Sequence, residues 1–210
     1  RVNKTLITQN KEKDILIQEV HHRVKNNLQF VTSLINMQIK SSPNTHETTS
    51  LSEASRRIGV MALVHEMLYN QNEMQGINIK QYLNELISTI NDFVNSENIP
   101  VRFEVDIEEL IIDKQKAIGI GMITSELISN AIKYAFVNNQ LQPRIDISLK
   151  TSPDNKKISF ILKDNGIGKD LSKEESGTLG TRLISIFSRQ LKGEYKFENN
   201  NGLQYSLIFK

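Results

Sequence analysis

One stretch near the start of the chain places an imidazole among groups that could activate it: Glu19-Val20-His21-His22-Arg23-Val24-Lys25-Asn26-Asn27-Leu28-Gln29. Apolar residues recur at Ile17, Val20, Val24, Leu28, Val31 and Ile35, in the steps of three and four that draw one stripe along a helix. At roughly 100° per residue, His22 falls about 160° from the centre of that stripe, away from a core, and His21 only about 60° from it. Glu19 stands three residues before His22 and Asn26 four after, so both share its outward face. A carboxylate that holds Nδ1–H leaves Nε2 of an imidazole as a nucleophile, and Glu19 is the candidate for that task. A solvated helix face that happens to carry a histidine is the plainer account, and it yields only to what stands further along the chain.

Three later stretches could hold a nucleotide. In Glu126-Leu127-Ile128-Ser129-Asn130-Ala131-Ile132-Lys133, helical spacing sets Glu126, Asn130 and Lys133 on one ridge. An amide oxygen suits a hard cation such as Mg²⁺, a neighbouring carboxylate can hold its waters, and an amine can offset phosphate charge. Asp164-Asn165-Gly166-Ile167-Gly168 follows the apolar run Ile158-Ser159-Phe160-Ile161-Leu162. A carboxylate at a strand end can accept from an exocyclic amine, and the two glycines let backbone approach a flat ring. Gly177-Thr178-Leu179-Gly180 runs into a helical pattern, and such a junction offers N–H groups to phosphate. Each stretch alone is also an ordinary amphipathic helix, turn or loop.

Together, in this order, the three stretches resemble the GHKL ATP-binding domain shared by histidine kinases and DNA gyrase. The likeness covers about residues 75–210. It implies that Asn130 binds Mg²⁺, that Asp164 receives the adenine amine, and that Gly166, Gly168, Gly177 and Gly180 shape the pocket and lid. It further implies that Glu126 acts as general base or water-holding residue and that Lys133 contacts phosphate. Thr181 stands where an aliphatic residue is usual, and Leu203 follows Gly202 where Thr is usual. The earlier stretch resembles the phosphoacceptor helix of sensor histidine kinases of the second dimerisation/phosphoacceptor type, close to the HWE kinases. Glu19, Val20, His22, Arg23, Lys25, Asn26, Leu28 and Gln29 meet every fixed position of that pattern. The resemblance implies that His22 is the phosphorylated residue.

The elements that must position these groups read as follows. Residues 1–40 carry no Gly or Pro and are expected to form one long helix. Pro43 lies in a polar run that breaks it, and a second helix is expected over about 51–71. Two long helices with a short connection form an antiparallel hairpin, and pairing two hairpins into a four-helix bundle covers the apolar surface left over, so a homodimer is expected. His65 and Glu66 sit in a part of the second helix that is apolar nearly all round and read as packed residues. After a linker at 72–76 the pattern changes: a short strand at 77–79, a helix over 80–95, a strand over 101–107, a helix over about 114–137, strands at 144–150 and 157–163, a helix over about 181–191, and two strands at 195–198 and 203–209 around Asn199-Asn200-Asn201-Gly202. Strands mixed with helices without strict alternation predict an α+β layer, which the resemblance sharpens to a Bergerat-type α/β sandwich. The expected domains are 1–74, dimerisation and phosphoacceptor, and 75–210, ATP-binding. The polar stretch 169–176 reads as a lid that orders on nucleotide.

Composition bounds the rest. The 210 residues carry a formal net charge of +2 with acids and bases interspersed, which gives no argument for nucleic acid or an anionic membrane. There is no Cys, hence no disulfide and no thiolate metal site, and a reducing cytoplasm is permitted. No apolar run approaches the roughly 18 residues that span a bilayer. The chain starts at Arg1 inside a helical pattern, so a fragment of a longer protein, with a sensor domain missing before it, is expected. The expected function is a sensor histidine kinase core: ATP and Mg²⁺ bound over residues 126–180, autophosphorylation of His22, and transfer to an aspartate on a response regulator receiver domain. Two rivals share part of the inventory. Another GHKL protein, an ATPase or protein-serine kinase, would lack the hairpin with His22; a silent dimerising scaffold would bind nucleotide without turnover.

Overall fold

The computed structural model describes residues 19–20, 23–24, 26–37, 39, 51–52, 54–55, 57–62, 64, 76–136, 142–154, 156–169 and 179–210, except 96–99. The chain divides into two compact units, Arg1–Met74 and Gln75–Lys210. In the first, the described residues between 19 and 39 and between 51 and 64 are helical. The Ser55 hydroxyl donates to Asn36 Oδ1 at 2.8 Å, which ties the two helical stretches together. Ser55, Ala62 and Val64 are buried, and Leu28 and Ile35 are half-buried. Val20, Val24 and Val31 of the stripe remain exposed, as do Phe30, Leu34 and Met37 on the far side of the helix from it.

The second unit is an α+β layer. It opens with β1 (Ile77–Asn78) and α1 (Ile79–Asn95), where the Asn78 side chain caps the helix by accepting from Gln81 N–H at 3.1 Å. Strand β2 (Arg102–Ile107) follows, then β3 (Ile111–Ile112), which pairs antiparallel with β1, Ile77 opposite Ile112. Strand β1 falls within the short strand expected at 77–79, whereas β3 and its pairing with β1 were not expected from the sequence. Helix α2 (Lys114–Asn130) is capped by Asp113, whose side chain accepts from Lys116 N–H at 2.9 Å. It is buried almost continuously from Ala117 to Ile128 and so runs through the middle of the unit. The expected helix over 114–137 changes character at its end: Ala131–Ala135 form a π turn.

Strands β4 (Arg144–Thr151), β5 (Ile158–Asp164), β6 (Glu194–Asn199) and β7 (Leu203–Phe209) complete a five-stranded sheet in the order β2-β4-β5-β7-β6. Only β2 and β4 are parallel; the other pairs are antiparallel. Period-two alternation puts Ile145, Ile147 and Leu149, Phe160, Leu162 and Asp164, and Tyr205, Leu207 and Phe209 on one buried face. The other face carries charges such as Asp146 and Lys163, half-buried, and Lys150, exposed. Helix α3 (Leu179–Gln190) lies on the buried face, where Ser188 Oγ meets Tyr205 Oη at 2.7 Å. Helix α1 packs on α2 so closely that a Cβ on Gly121 would stand 1.8 Å from Tyr82 Oη. Among the described residues no helix is long and apolar enough to cross a membrane.

Candidate functional site

The site is built where the end of α2, the end of β5 and the start of β7 meet. Because β5 alternates, Asp164 shares the inner face with Phe160 and Leu162, and it is 4% exposed. A buried carboxylate needs partners. Asp164 Oδ1 accepts from Gly166 N–H at 2.8 Å and from Leu203 N–H at 3.1 Å. Burial still raises its carboxyl above the usual range, with the two backbone donors opposing the rise. The loop that follows is held at both ends. Asn165 N–H donates to Arg144 O at 3.1 Å, and Asn165 Oδ1 accepts from Arg144 N–H at 2.8 Å. The Asn199 side chain donates to Lys169 O at 2.6 Å and accepts from Lys169 N–H at 3.0 Å.

The glycines are required by close approach. A Cβ on Gly166 would lie 2.5 Å from both the Cβ and the carbonyl oxygen of Ala135, and the same carbonyl accepts from Ile167 N–H at 3.2 Å. Gly202, at φ +118°, would bring a Cβ to 1.9 Å from the Asp164 carbonyl oxygen. The π turn that follows Asn130 widens the helix by one residue, a device found at functional sites. It brings Asn130, Ala131, Tyr134 and Ala135 together along one wall of a cavity.

That cavity measures about 290 Å³, near the lower end of the range for small-molecule sites. Its described lining includes Asn130, Asp164, Gly168, Lys169 and Thr181 among Leu127, Leu162, Ile184, Phe197 and Tyr205. A single buried carboxylate in an apolar wall suits a flat heterocycle that carries an N–H donor. Asn130, also in the lining, offers an amide oxygen. A larger, open groove of about 710 Å³ lies at the other end of α2, edged by Lys116, Lys157, Lys192 and Lys210. The carboxylates in its described lining, Asp113 and Glu194, are exposed rather than buried, so the smaller cavity is the better site.

Of the residues singled out from the sequence, Asn130, Asp164 and Gly168 are thus brought together. Glu126 is buried in α2, one turn before Asn130, and Lys133 is half-buried on the π turn; neither is part of the cavity lining. Gly166 acts through its contact with Ala135. Leu179 is exposed and Gly180 buried at the start of α3. Gly177, Thr178 and the rest of the expected lid from 170 lie outside the described residues, as do His21, His22, Lys25, His65 and Glu66. Glu19 is exposed and its Oε1 accepts from Arg23 Nε–H at 2.9 Å. Sequence reasoning missed Tyr134, Phe197, Tyr205 and the Leu203 N–H. The period-two alternation of β5 was the one available signal that Asp164 faces inward with Leu162.

Comparison with known proteins gives this geometry a family. Residues 19–94 match the histidine kinase family, over the stretch that holds His22 and the first helix of the second unit. The sensor histidine kinase PdtaS of Mycobacterium tuberculosis is 31% identical over 184 residues, which cover 86% of this chain. This chain belongs to the histidine kinases. It spans 36% of the length of PdtaS. A second relative, blue-light-activated histidine kinase 2 of Erythrobacter litoralis, is 27% identical over 194 residues, covering 87% of this chain and 53% of the relative. In fold, the chain is similar to the solved histidine kinase domain of an Erythrobacter litoralis blue-light activated histidine kinase. The TM-score is 0.65 at 20% identity, and the match covers 95% of each chain.

Proposed function

We propose that the chain is the catalytic core of a sensor histidine kinase, which phosphorylates itself on His22 at the expense of ATP and passes the phosphoryl group to an aspartate of a response regulator. Residues 1–74 then form the dimerising phosphoacceptor domain and residues 75–210 the ATP-binding domain. The observation that carries this reading is the cavity that gathers Asn130, Asp164 and Gly168 from separate parts of the chain. It stands in the same chain as a family-matched stretch with His22.

The residues present fit an adenine nucleotide with Mg²⁺. Asp164 is held by two backbone donors on Oδ1, so its carboxylate is fixed to receive the exocyclic amine of adenine. Gly168 and the apolar wall of Leu162, Phe197 and Tyr205 take the ring faces. Among the described residues there is no group of three or more His or acidic side chains placed to hold a metal ion. Mg²⁺ in phosphoryl-transfer sites takes one or two protein oxygens and fills its shell with phosphate and water, and Asn130 is such an oxygen. When bound, the ion neutralises charge on the phosphates. Glu126 is assigned to water near the ion, or to a general base, and Lys133, Gly177, Thr178, Leu179 and Gly180 to the phosphates and their enclosure.

In the transfer itself, Nε2 of His22 attacks the γ-phosphorus in line. An N–P bond forms, the bond from phosphorus to the β,γ-bridging oxygen breaks, and ADP departs with the electron pair. Glu19, on the same helix face, is assigned to orient His22. The experiment is autophosphorylation with γ-labelled ATP and Mg²⁺ in wild type and His22→Ala, followed by acid and base treatment. Acid-labile, base-stable label that vanishes in His22→Ala is expected. Label that persists moves the acceptor to His21 or His65, and absence of label despite nucleotide binding overturns the kinase reading.

A further inference from the structure

The tip of the β6–β7 hairpin clasps both ends of the loop that runs from Asp164 to Lys169. Asn199 and Leu203 are register partners across the last rung of that hairpin. From one side of the rung, Leu203 N–H donates to the Asp164 carboxylate. From the other, the Asn199 amide makes a two-bond pair with the Lys169 backbone, donating to its carbonyl and accepting from its N–H. The tip is itself fixed: Asn200 N–H donates to Gly202 O at 2.8 Å, and Asn201 and Gly202 both adopt positive φ. It also stands against the loop without room to shift. A Cβ on Gly168 would come within 2.8 Å of Asn199 Oδ1, and one on Gly202 would overlap the Asp164 carbonyl.

We infer that Asn199 is a positioning residue for the nucleotide, acting through Gly168 and Lys169, both of which line the cavity. Asn is suited to the place because its amide carries a donor and an acceptor side by side, matching the N–H and C=O of one residue as a neighbouring strand would. With Asn199 in place, the wall bearing Gly168 and Lys169 keeps its distance from Asp164 before any ligand arrives. Without it, the hairpin holds the loop only at its Asp164 end, and part of the ordering at the Lys169 end is charged to binding.

The inference rests on the nucleotide reading given above, and the test separates the two. ATP and ADP affinities are measured by calorimetry on the full chain for wild type, Asn199→Ala and Asn200→Ala, together with labelling rates over a range of ATP concentrations. Loss of two hydrogen bonds from a preorganised wall predicts about tenfold weaker binding of ATP and of ADP in Asn199→Ala. KM rises in parallel, the rate at saturating ATP stays within about twofold, and Asn200→Ala behaves as wild type. Affinity of Asn199→Ala within about twofold of wild type overturns the inference. So does equal loss in Asn200→Ala, which would mark a general weakening of the hairpin. Should Asn199→Ala not fold, hydrogen exchange at the Lys169 amide of the ligand-free wild type decides: protection is expected, and exchange at the rate of an open loop overturns the inference. If wild type binds no adenine nucleotide, the ATP reading fails, while protection of Lys169 and its loss in Asn199→Ala still report on the clasp.

Discussion

The Ser188 hydroxyl and the Tyr205 phenol lie 2.7 Å apart in the buried layer between α3 and β7. Ser188 Oγ also donates to Ile184 O, so the phenol is the donor between the two side chains. The link fixes α3 on the strand whose first residue holds Asp164, and it makes the two substitutions unequal. Ser188→Ala leaves a buried phenol with no acceptor and is expected to cost about 1–3 kcal/mol. Tyr205→Phe leaves Ser188 bonded to Ile184 O and is expected to cost about 1 kcal/mol. In the double variant the orphan disappears, so its loss falls short of the sum. Urea unfolding of the three variants measures the coupling; strict additivity would contradict it.

Tyr82 presents the opposite case. Its hydroxyl is buried between α1 and α2 with no hydrogen-bond partner among the described residues, and burial pushes its ionisation far up. Tyr82→Phe removes that unsatisfied group and keeps the ring. The expected result is a gain of about 1 kcal/mol in unfolding free energy, read from chemical denaturation; a loss would mean that the hydroxyl is satisfied in solution.

Asp164 links pH to stability. Its folded carboxyl holds a proton to higher pH than the unfolded chain does, because burial raises it. The stability it contributes is therefore complete below the unfolded carboxylate value of about 3.9 and is lost as pH rises through the folded value. Asp164→Asn keeps an oxygen for Gly166 N–H and Leu203 N–H and carries no charge. The variant should lose that slope above about pH 4 and be no less stable than wild type at neutral pH, yet bind ATP at least about tenfold more weakly. Denaturation across pH and nucleotide titration check the two halves separately; a slope equal to that of wild type would refute the first.

The apolar side chains left open in the first unit call for cover. Phe30 is 64% exposed, Leu34 46% and Met37 65%, at spacings that place them on one side of a helix. Burying such side chains is worth about 1.5–3 kcal/mol each. Sedimentation equilibrium is expected to find a dimer for wild type and a monomer for the double variant Phe30→Glu, Leu34→Glu. A monomeric wild type at all concentrations would contradict the proposed bundle.

Much of this architecture is legible from residue pattern. The residue pattern suffices for a strand over 144–150 and a helix from 114, where β4 and α2 lie, and the chemistry of Asn130, Asp164 and Gly168 marks segments that the fold draws to one cavity. What sequence does not show is non-local. Strand β3, two residues long, is too short for any period to register. The π turn has no Gly or Pro to announce it; Ala135 is held there by Ile167 and by contact with Gly166, residues about thirty positions later. The aromatic wall of Phe197 and Tyr205 reaches Asp164 only because β7 inserts between β5 and β6.

That strand order has a consequence for the chain as it is made. Asp164 and its partner Leu203 are 39 residues apart, and β7 is the last strand of the sheet in sequence. At a translation rate of about 5–20 residues per second, the carboxylate is synthesised roughly two to eight seconds before the backbone group that orients it. On the proposed function, a nascent chain with α2, β4 and β5 already formed has no finished nucleotide site, so nucleotide cannot stabilise it. Nucleotide can protect only chains that have emerged past β7, which makes ligand binding a mark of completed synthesis of this unit.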